Sequence, residues 1–159
     1  DPKAPAEVWE WVERPDGTMA PPRIRLVGEA YDGGGKFRSF GPHAVAADPT
    51  WPSRLSTSGA LLVTEGARKG AIASDVLGCG AWSVPTVHLG ESLLGELRNG
   101  LHLAIETGDI RRLILAPDYG DLTGDRSDDV RRAVWTAWHR VEQWAEWHGI
   151  EVRWALLGW

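Results

Sequence analysis

The chain has 159 residues, 43% of them apolar, and a formal charge of −5; this is enough apolar material for one ordinary core, and too acidic for a protein that coats nucleic acid by bulk attraction. Its single cysteine, Cys79, excludes an internal disulfide and a cysteine-based zinc site, and is expected as a small core residue. No apolar run approaches the ~20 residues of a membrane helix, and the opening DPKAPAEVWEW lacks the basic-then-apolar layout of a signal peptide, so a cytoplasmic address without a membrane partner is expected.

Residues 1–58 read as a β-rich N-terminal extension and linker. EVWEWVER before the turn PDGT, and RIRLVGEAYD before the turn GGGK, alternate as strands of a small antiparallel unit. Arg23, Arg25, Lys36 and Arg38 give that unit a basic bias that the global charge hides. The segment GPHAVAADPTWPSRLSTSG carries three prolines and little periodicity, so it reads as loop or linker.

From residue 59 to 159 apolar runs alternate with helix-length segments. ALLVT, CGAWSVPTV, RRLILAPD and EVRWALL read as four strands. Between them lie the helical stretches EGARKGAIASDVLG, GESLLGELRNGLHLAIETG and SDDVRRAVWTAWHRVEQWAEWHG. The last is the strongest helix: Ser127 caps it, Asp128 and Asp129 suit its positive end, and Gly149 stops it. The alternation predicts an α/β fold with a mostly parallel four-stranded sheet and helices on both faces. Ten tryptophans against two phenylalanines indicate that several tryptophans fill core.

Ligands in such sheets sit beyond the carboxyl ends of the strands. LLVTEG ends in Glu65, and LILAPDYGD ends in Asp118 with Asp121 three residues on. If the two strands are neighbours, three carboxylates share one small volume, and their repulsion calls for a divalent cation, most simply Mg²⁺. Either acid site alone would serve equally as a turn cap or a solvated side chain; the joint placement points to phosphate chemistry.

An apolar strand ending in Glu-Gly, then a helix, a second strand, and a later strand ending in closely spaced aspartates resembles the toprim domain of topoisomerases, bacterial-type primases and some nucleases. LLVTEGARKGAIASDVLGCGAWSVPTV together with LILAPDYGD and the final helix and strand is most similar to primase-like toprim proteins of phages, plasmids and mobile elements. The resemblance covers roughly residues 59–159, and RIRLVGEAYDGGGKFRSFGP is similar, more weakly, to the short β segment preceding that domain. It implies a Rossmann-like toprim fold and a DNA primase-like nucleotidyltransferase acting on single-stranded DNA and nucleotides, with a replicative helicase as a further partner. Glu65 would be general base or metal ligand, and Asp118 and Asp121 would hold Mg²⁺ or Mn²⁺. Gly66 would allow close backbone approach. Arg68 and Lys69 would form the basic pair after it, with Lys69 meeting a phosphate from the first helical turn. The family's Asp-x-Asp is here Asp118-Tyr-Gly-Asp121, one residue longer, with Asp125 a less fitting substitute. Arg23, Arg25, Lys36 and Arg38 would contact the template backbone. Two other readings stay open: a metal-dependent nuclease on the same fold, and a catalytically silent domain that binds nucleic acid or a helicase.

Among the five histidines no pair has a helical metal-ligand spacing. Structural or surface roles are expected for them, except His88, which follows the second strand and lies near the proposed edge. Ser83 lacks the Gly-x-Ser-x-Gly context of a hydrolase nucleophile.

Overall fold

The computed structural model describes residues 7–26, 37–39, 41, 44–107, 110–118 and 127–155, without the side chains of residues 8 and 37–39. Three short strands, β1 (Glu7–Glu10), β2 (Arg23–Leu26) and β3 (Phe37–Ser39), form an antiparallel sheet in that order. The PDGT turn forms as expected: Gly17 takes φ +82°, and the Thr18 amide and hydroxyl both donate to Asp16 Oδ1. Those bonds hold the Asp16 carboxyl below its usual range.

The larger sheet has five strands. These are β4 (Ala46–Ala47), β5 (Ala60–Glu65), β6 (Gly80–Val84), β7 (Arg112–Ala116) and β8 (Glu151–Trp154), in the order β4-β6-β5-β7-β8. All pairings are parallel except β4 on β6. The four expected strands are β5 to β8. The fifth, β4, comes from the segment read as linker, as does helix α1 (Trp51–Ser58). Its prolines are compatible with this: Pro52 lies in the first turn of α1, where a missing N–H costs nothing.

Three more helices, α2 (Ala67–Leu77), α3 (Glu91–Glu106) and α4 (Asp128–Trp147), connect the parallel strands. Alternation along each strand sorts the two faces. Leu61, Val63, Trp82, Val84, Leu113 and Leu115 join the large core under α3 and α4. Leu62, Ala81 and Ala116 join a smaller cluster with Cys79 and Ala73 of α2. Cys79 is a core residue as expected, and burial pushes its thiol up, away from nucleophilic use.

Trp51, Trp82 and Trp138 are buried, with Trp51 edge-on to Trp82 at 5.1 Å, which accounts for part of the tryptophan excess. Trp138 Nε1 donates to the Val87 carbonyl at 2.9 Å, so its burial leaves no indole N–H unpaired. The buried stripe of α4 is Val134, Trp138, Val141 and Ala145, with Val130 and Ala137 only half-buried. Ser127 Oγ accepts from the Val130 amide, and Gly149 follows the helix at φ +75°. No helix among the described residues is long and apolar enough to cross a membrane.

Candidate active site at the carboxyl edge of the sheet

The chain leaves β5 toward β6 through α2 on one face, and leaves β7 toward β8 through α4 on the other. Connections that diverge in this way open a crevice between the carboxyl ends of β5 and β7, where ligands bind in open α/β sheets. Glu65 is the last residue of β5. The parallel register Thr64↔Ala116 sets it beside Pro117, one residue before Asp118. The condition that the two acid-bearing strands be neighbours is therefore met.

Thr64 fixes this edge. Its side chain is buried, and its Oγ1 donates to the Ala116 carbonyl at 2.9 Å, tying the carboxyl end of β5 to the last residue of β7. Nothing in the sequence flagged Thr64, because a threonine in an apolar strand is an ordinary β-former until its cross-strand partner is known. Glu65 is half-buried, with Oε2 shielded from solvent.

Gly66 caps α2 at φ +83°, a conformation side chains rarely adopt, and its amide donates to the Val84 carbonyl of β6. A Cβ there would meet nothing within 4 Å, so the backbone faces open space at the helix N-terminus. One turn on, Gly70 lies against Ser83 of β6; the absence of a side chain brings α2 down onto the sheet and sets the height of its first turn.

Arg68 and Lys69 are exposed on that turn. Lys69 Nζ lies 2.7 Å from Asp118 Oδ2, with side-chain exposures of 45% and 26%. The residue expected at a phosphate and the one expected at a metal thus meet each other directly. Pairs this exposed contribute at most about 1 kcal/mol of stability, so the ammonium can leave when another cation or a phosphate arrives.

Asp121 and Lys36 lie outside the described residues, and Arg38 is described only as backbone of β3. Arg23 and Arg25 share one face of β2, and both ion-pair with Glu10, at 2.6 and 3.1 Å. Two guanidiniums thus face one carboxylate. His88 is exposed in the loop after β6.

Among the described residues no group of three or more potential ligands is arranged around a metal position. The donors present suit a hard cation all the same: Glu65 and Asp118 offer carboxylate oxygens only, and Asp118 already accommodates the Lys69 ammonium.

No family model and no curated protein matches the chain. Solved structures do. A DnaG primase catalytic domain bound to single-stranded DNA aligns with TM-score 0.61 and 16% identity over 96% of this chain and 45% of its own. The Aquifex aeolicus primase, as its zinc-binding and RNA polymerase domains, gives 0.58 and 16% over 96% and 34%. The E. coli primase catalytic core gives 0.54 and 17% over 98% and 46%. The chain spans less than half the length of the primase structures it matches. Its architecture is the primase-like toprim fold found within bacterial DnaG catalytic cores.

Proposed function

We propose that the chain is a primase-like domain performing metal-dependent nucleotidyl transfer on single-stranded DNA. The observation that carries this reading is the placement of Glu65 and Asp118 at the carboxyl ends of two adjacent parallel strands, flanking the crevice where the connections diverge. With Asp121, these residues would hold Mg²⁺ or Mn²⁺, which when bound supplies charge stabilisation at phosphoryl oxygens. Glu65 takes the proton of the attacking 3′-hydroxyl. Lys69 exchanges Asp118 for a phosphate of the incoming nucleotide, and the open backbone at Gly66 lets that phosphate reach the first turn of α2. Arg23, Arg25, Lys36 and Arg38 contact the template backbone, a role supported by charge and by the single-stranded DNA bound to the similar primase domain. A replicative helicase as partner and a cytoplasmic address follow from the same reading.

The test is primer synthesis by the purified chain on single-stranded DNA with labelled nucleotides and Mg²⁺ or Mn²⁺. Glu65→Gln and Asp118→Asn should each lower synthesis by at least ~100-fold, the lower range for a lost acid or base. Unchanged synthesis in either variant contradicts the assignment. DNA degradation without nucleotides in the same reactions would instead establish the nuclease reading. The Lys69–Asp118 pair favours one alternative, a silent binding domain, because it already compensates one carboxylate. Its signature is DNA binding that survives Glu65→Gln, with no Mg²⁺ uptake.

A further inference from the structure

The sequence offers no histidine pair at metal-ligand spacing, yet the fold creates one. His102 on α3 and His148 at the end of α4 stand with ring centroids 5.4 Å apart. Both are exposed, and the half-buried Trp144 packs against each ring, at 4.8 and 4.6 Å, holding the two imidazoles side by side between the helices. Glu65 and Asp118 lie at the carboxyl ends of the strands; the His pair lies at the C-terminal ends of helices that start from that edge and run away from it.

We propose that His102 and His148 bind a divalent transition ion, Zn²⁺ or Ni²⁺ in class, clamping α3 to α4. The spacing agrees with this. An ion about 2.0–2.1 Å from one nitrogen of each ring, at a tetrahedral angle, sets the centroids roughly 5.2 Å apart, against the 5.4 Å observed. The rings now meet at 76°, edge toward face. Aiming a nitrogen of each at one point draws on the imidazole torsion, which is broad and cheap for an exposed side chain. Water fills the remaining positions. Imidazole nitrogen selects zinc, nickel and copper, whereas carboxylate oxygen selects magnesium and manganese. The chain therefore offers two cation sites of different chemistry, and the His site is independent of the nucleotidyl-transfer reading.

Calorimetric titration of the whole chain with Zn²⁺ and with Ni²⁺, in a large excess of Mg²⁺, tests this. The chain should take up one equivalent, and its melting temperature should rise with the added ion. His102→Asn and His148→Asn should each weaken uptake at least tenfold and abolish the rise, while melting like the parent in the absence of metal. His139→Asn, an exposed histidine engaged with Glu142, should change neither. No uptake by the parent chain overturns the proposal, as does uptake that survives both His102→Asn and His148→Asn. In that event the rings serve only to pack against Trp144.

Discussion

Replacing Gly70 by alanine probes how closely α2 approaches the sheet, and hence how Gly66 and Lys69 are set above the crevice. A Cβ built at Gly70 lands well inside contact with Ser83 Oγ, but only 3.5 Å from Ser83 Cβ and 3.6 Å from Thr64 Cγ2, both ordinary contacts. The hydroxyl alone is in the way. Overpacking a buried site costs about 1–3 kcal/mol, whereas alanine in place of glycine inside a helix returns about 0.5–1 kcal/mol. Gly70→Ala should therefore lose a net ~0–2.5 kcal/mol, a fall of up to roughly 10 °C in Tm at this chain length. In a Ser83→Ala background the obstruction is gone, and the same change should be neutral or stabilising by up to ~1 kcal/mol. The assay is urea denaturation of the parent, both single variants and the double variant. A coupling of about 1–3 kcal/mol is expected; additive effects would refute the packing argument.

Thr64→Val keeps the shape of the side chain but removes the donor to the Ala116 carbonyl, and should cost about 1 kcal/mol by urea denaturation while lowering primer synthesis. Full activity would mean that the bond does not align the two acids. Trp138→Phe leaves the Val87 carbonyl without its donor in the core, so a loss of about 1–3 kcal/mol is expected in the same assay; a neutral result would contradict that bond. Acid stability follows two surface carboxylates. The Arg140 hydrogen bond and charge hold Glu91 below its usual 4.5, and hydrogen bonds from Arg112 and then Arg153 do the same for Glu151. Because the folded values are the lower ones, both contributions are complete above pH 4.5 and fade as pH falls through the folded values. The double variant Glu91→Gln, Glu151→Gln should show a shallower loss of stability below pH 4.5 than the parent, and an identical acid limb would exclude these pairs as its cause.

The parallel part of the fold was legible because buried strands and amphipathic helices leave different periods in the sequence, and because Ser127 and Gly149 punctuate α4 where such residues should. The positions of Glu65 and Asp118 at strand ends were legible for the same reason. β4 and α1 were not: two alanines carry no strand signal, and Pro49 and Pro52 read as breakers although one of them belongs in a first helical turn. The contacts that tune the site are long-range and carry no local pattern. Lys69 meets Asp118, Thr64 meets the Ala116 carbonyl, and Glu10 draws on both Arg23 and Arg25. His102 and His148 become neighbours only because α3 and α4 pack side by side.

The central claim is that Glu65 and Asp118 form a metal-binding edge for phosphate chemistry, and a crystal soaked with Mn²⁺ and a nucleoside triphosphate tests it most directly. The prediction is an anomalous peak between the Glu65 and Asp118 carboxylates, with Lys69 Nζ withdrawn from Asp118 and placed on a phosphate. A crystal in which Mn²⁺ avoids both acids and the Lys69–Asp118 pair persists would contradict it.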